Sequence, residues 1–404
     1  MSGVVLTLNA GSSSVKFAGY AVREEGGLAD APIVRGQVAG LNADRPALTI
    51  ADHGGPEARE ALDSGRDHGA ALALVLERIE ARLAGARVAA VGHRVVHGGL
   101  DFSAPTRLTD ETAAALARLT PLAPNHQPHN LAGFQAARRR WPDAPHIACF
   151  DTAFHRTQSG PAERFALPLA LTEEGIIRYG FHGLSYEYIA EAAPRIMGRA
   201  PHRRMVVAHL GAGASMCAIR DGASIATTMG FTALDGLPMG TRCGDVDPGV
   251  LLYLLQEKGM GVSDLADCLY NRSGLLGMSG VSADMRVLEA SDDPHAEEAI
   301  AYFAHRCVRE IGALAAAMGG LDAVVFTAGV GENAAAFRAR VVSGCAWLGM
   351  TLDAAANAAH GPRITLAGGA AGDGAPGDQG PSAWVVPTNE ERMIARHALN
   401  SAGA

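Results

Sequence analysis

Val4, Val5 and Leu6 form a short apolar run that reads as a buried strand and ends at Asn9-Ala10-Gly11, residues suited to a tight turn. Leu72, Val75, Leu76, Ile79 and Leu83 then recur at helical spacing, with Glu77, Arg78, Glu80 and Arg82 on the opposite face. A strand pattern covers 88–96, a helix 110–119 that stops at Pro121, and a strand 146–150 that ends at Asp151. Residues 206–209 repeat the first pattern and run into Gly211-Ala212-Gly213-Ala214-Ser215. A long helical pattern over 295–318 stops at Gly319-Gly320, and a strand over 323–326 is followed by a glycine turn at Gly329-Val330-Gly331. The glycine-rich stretch 366–381 reads as an exposed hairpin loop or linker, and residues 384–386 as a last strand leading to a helix near Glu390. Strand and helix patterns alternate throughout, which predicts an α/β architecture.

Three strands, at 4–8, 206–210 and 323–327, each run into a Gly/Ala/Ser turn. That recurrence suits two similar domains closing on a nucleotide, with a boundary where strand 146–150 ends. The length of 404 residues favours two or three domains, and 48% apolar against 19% charged residues marks a globular chain. A formal net charge of -8 argues against a nucleic-acid backbone as the main partner. No stretch of about 20 apolar residues predicts a membrane span, and no basic segment followed by a long apolar run predicts a signal peptide. The six cysteines are scattered without a C-x-x-C pair, which fits a reducing cytoplasm better than a disulfide framework or a zinc site.

Ser12, Ser13 and Ser14 supply hydroxyls and backbone N–H groups after the first turn, and Lys16 adds a cation. The turn is either a phosphate cradle or an ordinary hairpin with solvated serines. It is not a P-loop, since G-x-x-x-x-G-K-[ST] occurs nowhere in the chain. Arg94 lies in an otherwise apolar strand and must find an anion there, either a ligand or a structural carboxylate. Arg242 lies between Gly240 and Gly244, ahead of Asp247-Pro248, a helix-start pattern. Asp151 and Glu390 stand at strand ends, where a carboxylate can hold Mg²⁺ near phosphate oxygens. Capping by Thr388 or Asn389, with the glutamates merely favouring the helix N-terminus, explains Glu390 equally well. His126 and His182 are flanked by prolines or glycines, as a residue aimed at a ligand would be. H-E-x-x-H is absent, so zinc is not expected.

Taken in order, these segments resemble the acetate kinase family of the acetate and sugar kinase–Hsp70–actin superfamily. The matching blocks are LNAGSSSVKF at 8–17, VGHRVVHGG at 91–99, LAPNHQPHNL at 122–131, FDTAFH at 150–155 and RYGFHGLSYEYI at 178–189. They continue with VVAHLGAGASMCAI at 206–219, GLPMGTRCGDVDPG at 236–249, SGLLGMSGVSADMR at 273–286, FTAGVGENAAAFR at 326–338 and PTNEERMIAR at 387–396. The resemblance implies two similar actin-like (ribonuclease H-like) domains of mixed β-sheet flanked by helices, with nucleotide in the cleft between them. It divides the chain into 1–150, joined by a C-terminal helix at about 391–404, and 151–390. It implies reversible ATP-dependent phosphorylation of a short-chain carboxylate, acetate first, in the cytoplasm and by a homodimer.

By the same resemblance, Arg94 holds the substrate carboxylate and Arg242 stabilises the phosphoryl group in flight. His182 donates a hydrogen bond to that group, and His126 supports it. Val96, Asn125, Phe181 and Ala233 line the acid's pocket. Asn9, Ser12, Ser14 and Lys16 shape the first phosphate turn, and His209, Leu210, Gly211, Ala212 and Gly213 the second. Asp284, Met285 and Arg286 line the nucleotide, and Gly329, Val330, Gly331, Glu332 and Asn333 form its adenosine turn. Asn9, Glu390 and Asp151 organise Mg²⁺, with Mn²⁺ as the alternative.

The chain departs from the family's pattern at four places. Asn125 stands where Leu is usual, Ala233 replaces Pro, Ala212 replaces Asn, and Tyr186 replaces a His. A polar Asn125 in an apolar pocket implies either a larger or more polar acid, propionate or butyrate among them, or a side chain turned away. A sugar kinase would need neither Arg94 nor Arg242, and a nonenzymatic ATP-binding module would not need both with His126 and His182.

Overall fold

The computed structural model describes residues 3–11, 14–41, 46–63, 67–198, 203–366 and 380–403. Ser12 and most of the glycine-rich stretch 366–381 lie outside the described residues. The chain divides into two compact units, Met1–Phe154 with Asn389–Ala404, and His155–Thr388.

The first unit is built on strands β1 (Gly3–Ala10), β2 (Ser14–Val22), β3 (Val34–Ala39), β4 (Ala47–Asp52), β5 (Ala58–Ala61), β6 (Val88–Val95), β7 (Thr106–Arg107) and β8 (His146–Phe150). They form one sheet in the order β5-β4-β3-β2-β1-β6-β8-β7. β1 pairs antiparallel with β2 on one side and parallel with β6 on the other, and β6 pairs parallel with β8. The helix His68–Leu83 starts where the Asp67 side chain accepts from the Ala70 N–H. It buries Leu72, Val75, Leu76, Ile79 and Leu83, the stripe expected from their spacing, against Leu6, Leu8 and Phe17 of the sheet. β3, β4 and β5 carry no run that the sequence pattern singles out. β3 is exposed at alternate positions and β5 is exposed throughout, so neither contains a continuous apolar core segment.

The second unit carries β9 (Arg204–Leu210), β10 (Ala214–Arg220), β11 (Ala223–Thr227), β12 (Ala323–Thr327) and β13 (Ser382–Val385), in the order β11-β10-β9-β12-β13. β9 pairs antiparallel with β10 and parallel with β12, and β12 pairs parallel with β13. The stretch β3-β2-β1-β6-β8 of the first sheet has the same sequence of antiparallel and parallel pairings. The recurrence seen along the chain is therefore a repeated strand order. The helix Pro294–Met318 starts with the Asp293 side chain on the His295 N–H and ends at Gly319 in left-handed conformation, as its flanking residues predict.

One expected turn is a helix instead. After β12, residues Ala328–Asn333 form a short helix rather than a glycine turn. Glycine is a poor helix former, and tertiary contacts override that preference here. The buried Arg338 donates through Nη1 to the carbonyls of Gly331 and Glu332, capturing the end of this helix.

Candidate active site

At the ends of β1, β6 and β8, the first unit gathers Asn9, Arg94 and Asp151. Arg94 Nη2 and Nε lie 2.5 and 2.9 Å from the Asp151 carboxylate, and Arg94 Nη1 donates to Asn9 Oδ1 at 3.2 Å. Of the two anions open to Arg94 on sequence grounds, the structural one is present. Each terminal nitrogen still has a second N–H for a further acceptor. Burial works against the Arg94 charge, but Asp151, Glu390 and Glu391 outweigh it and hold the guanidinium above its usual range. Asp151 is 1% exposed and both of its oxygens face Arg94, so it serves as the arginine's counter-ion.

Glu390 opens the helix Glu390–Ala402 and is half-buried. Asn389 caps that helix, its side chain accepting from the Arg392 N–H, so the capping explanation of this segment holds. Loss of solvent and then the neighbouring Glu390 push the Glu391 carboxyl up. A magnesium ion that keeps its waters and binds phosphate oxygens needs only one or two carboxylates, and Glu390 fits that requirement.

Val96 is braced from the helix Gln127–Arg140. Asn130 accepts from the Val96 N–H through Oδ1 and donates to the Ala10 carbonyl through Nδ2, tying the ends of β6 and β1 together. His126 sits at the N-terminus of the same helix. Asn125 is exposed, so its amide is not buried in an apolar pocket. Lys16, opposite Asn9 on β2, is exposed as well.

The second unit converges on the turn between β9 and β10. Ala214 pairs with Leu210, leaving Gly211, Ala212 and Gly213 as the link, with the Gly211 N–H donating to the Gly213 carbonyl. A Cβ on Gly213 would lie 3.0 Å from Arg242 Nη2 and 3.4 Å from His182 Nε2. A guanidinium and an imidazole thus meet over a glycine-bearing turn whose Ala212 is exposed. Arg242 is anchored by Nη1 on the Ala233 carbonyl at 2.7 Å, so Ala233 contributes its backbone.

His182 has left-handed backbone angles, φ 59° and ψ 22°, at the start of the helix Gly183–Ile196. Such a conformation is costly for a non-glycine residue and is held by its surroundings. Gly180, with φ +74°, lets the chain pass the buried His155 ring, which a Cβ would approach to 2.6 Å. His155 Nε2 faces the Phe181 carbonyl at 2.9 Å and fixes the backbone just before His182. The ring of His182 stacks on His209 at 4.1 Å and 18°. His182 Nδ1 contacts Ser215 Oγ at 2.8 Å, and the buried Tyr186 hydroxyl contacts the same oxygen at 2.5 Å.

The residues expected to line a nucleotide have mixed surroundings. Asp284 caps a short helix and pairs with the exposed Arg286 at 2.5 Å, while Met285 is buried. Glu332 turns its carboxylate back to the N–H groups of Ala328 and Thr388. Gly329 and Asn333 remain exposed. Asn130, Ser215 and Arg338 are the supports that sequence reasoning missed. Each looks ordinary within its segment, and its role depends on partners distant in the chain.

Two sheets that share this strand order, both flanked by helices and both carrying a hairpin turn at the central strand, define the actin-like ATPase fold. The family model described as the acetokinase family matches residues 4–396. An acetate kinase of Rhodopseudomonas palustris (strain ATCC BAA-98 / CGA009) is 53% identical over 399 residues, covering 98% of both chains. Among solved structures, a propionate kinase from Francisella tularensis has a TM-score of 0.87 at 33% identity, covering 98% of this chain and 99% of that one. Porphyromonas gingivalis acetate kinase has a TM-score of 0.82 at 34% identity, with the same coverage. The chain belongs to the acetokinase family.

Proposed function

We propose that the chain phosphorylates acetate with ATP, reversibly, to give acetyl phosphate and ADP. The observation that carries this reading is the meeting of Arg242 Nη2 and His182 Nε2 at Gly213, beside the turn after β9. A carboxylate with a pKa of about 4–5 is already ionised at neutral pH, so the reaction needs no general base. What it needs is stabilisation of charge spread over the equatorial oxygens of the phosphoryl group in transit. Arg242 supplies a fixed positive charge and His182 a directed hydrogen bond to those oxygens. The remaining N–H groups of Arg94 hold the substrate carboxylate, while Asp151 fixes that guanidinium in place. Asp151 therefore acts by positioning, and His126 in a supporting part.

The turns Asn9–Lys16 and His209–Gly213 receive phosphate oxygens, and Asp284–Arg286 with Gly329–Asn333 receive the nucleoside. Mg²⁺ accompanies ATP, organised by Glu390 most directly and by Asp151 and Asn9, with Mn²⁺ as the substitute. When bound, the ion neutralises charge on the phosphates. The same reading makes the enzyme a cytoplasmic homodimer. Its six free cysteines favour a reducing compartment. No helix among the described residues is long and apolar enough to cross a membrane. The helix Pro248–Gln256 exposes Val250, Leu252 and Tyr253, and the next helix exposes Val262, an apolar face suited to a second copy of the chain. Sedimentation should give twice the chain mass of 41.7 kDa, and a monomer at micromolar concentration would remove the dimer.

Trapping the product as a hydroxamate tests the activity. ATP-dependent signal with acetate supports the reading. ATP binding without transfer to any short-chain acid would leave a nonenzymatic module instead.

A further inference from the structure

We propose that Ser215, its hydroxyl oriented by the donor Tyr186, is a positioning residue that holds His182 as the tautomer bearing its proton on Nε2. The inference rests on the kinase reading for its catalytic consequence but not for its structural content.

The argument is a count of hydrogens. Tyr186 and Ser215 are both fully buried, so their hydroxyl protons cannot turn to solvent. Among the described residues, the hydrogen-bonding partner of the Tyr186 hydroxyl is Ser215 Oγ, at 2.5 Å. Ser215 Oγ in turn faces His182 Nδ1 at 2.8 Å. If Tyr186 donates to Ser215, the Ser215 hydroxyl is free to donate to an unprotonated His182 Nδ1, and every proton has an acceptor. If His182 instead carried its proton on Nδ1, it would donate to Ser215, Ser215 would donate to Tyr186, and the tyrosine proton would be left buried without an acceptor. Leaving a buried donor unsatisfied is the costly alternative. The chain Tyr186→Ser215→His182 therefore puts the imidazole N–H on Nε2, the atom that faces Gly213 beside Arg242.

Packing keeps the relay in register. The Tyr186 ring stands edge-on to His155 and His209, at 5.5 and 6.3 Å between centroids, and His209 stacks on His182. Tyr186 is one turn into the helix that His182 begins, so a single rigid element carries both ends. A phenol suits this position because it extends the reach of the helix into the core and ends in one donor. The departure at Tyr186 thereby acquires a physical role.

The test is the tautomer itself, read by nitrogen-15 NMR on the full-length chain labelled at histidine, with the His182 signals assigned by their loss in His182→Gln. The wild type should show a protonated Nε2 and an unprotonated Nδ1 at His182. Ser215→Ala removes the donor to Nδ1 and keeps the Tyr186 ring, so both tautomers should appear. In hydroxamate assays with acetate, kcat should fall by about tenfold with KM within about twofold, the pattern of an interaction used mainly in the transition state. Tyr186→Phe leaves Ser215 donating to Nδ1, so it should keep the tautomer with a smaller loss of kcat, and the double variant should be no worse than Ser215→Ala alone, because Tyr186 acts through Ser215. A wild-type His182 protonated on Nδ1 overturns the proposal. So does a Ser215→Ala enzyme with unchanged tautomer and kcat, or additive losses in the double variant. If the NMR result holds while acetate is not phosphorylated, the positioning stands and the functional reading fails.

Discussion

Arg94 and Arg242 look alike as lone arginines in the sequence but have opposite energetic settings. Arg94 is the counter-ion of the buried Asp151, and removing it strands that carboxylate. Arg94→Ala should therefore lower stability by about 3–5 kcal/mol, visible as a fall in Tm, besides abolishing activity. Arg242 is anchored on the Ala233 carbonyl through Nη1 and brings Nη2 to the Gly213 turn. Arg242→Ala should cost about 10²–10³ in kcat with little change in Tm. Near-wild-type turnover in that variant would remove its role. Asn125 is exposed, so Asn125→Leu should change kcat/KM for acetate by no more than about twofold, in line with other surface changes. A larger shift toward a longer acid would return Asn125 to the pocket. Residue types at turns and strand ends were enough to pick out Arg94, Asp151, His182 and Arg242. They did not say which anion Arg94 holds, because Asp151 lies on a different strand.

The helix Ala328–Asn333 shows what a pattern reading misses between neighbours. Gly329-Val330-Gly331 predicts a turn on local preference, yet Arg338 clamps the carbonyls that follow it. Arg338 is fully buried and also donates to the side chain and carbonyl of Asn357. Arg338→Met should keep most of the volume but orphan these acceptors, costing about 2–4 kcal/mol in denaturant unfolding. It should also raise KM for ATP more than KM for acetate, since the helix lies in the expected nucleoside region. Equal stability would show that the clamp is not what holds the helix. The amphipathic helices were legible because their stripes repeat every turn. β3 and β5 were not, because β3 buries only Val34 and Val38 between exposed polar positions and β5 is exposed throughout.

For the whole molecule, buried histidines set the acid limit. Burial pushes His97 and His155 down to about 4, and His93 lies well below its usual value through burial and then the neighbouring His146. Their neutral forms are favoured in the folded chain, so their contribution is complete above about pH 6.5 and is lost as the pH falls toward the folded values. Each pH unit in that window costs about 1.4 kcal/mol per histidine. Tm should therefore fall steeply between about pH 6.5 and pH 5, and His155→Gln should flatten the slope; a Tm independent of pH there would contradict this. The doubled architecture was visible as strands running into small-residue turns at 4–8 and 206–210. The third such strand, 323–327, leads into a helix and joins the second sheet beside β9.

The most direct test of the central claim is kcat/KM for ATP-dependent acyl phosphate formation with acetate, propionate, butyrate and glycolate compared side by side. Acetate should exceed each of the others by about tenfold or more, equivalent to about 1.4 kcal/mol of transition-state discrimination. A longer or hydroxylated acid preferred by that margin would contradict acetate as the substrate.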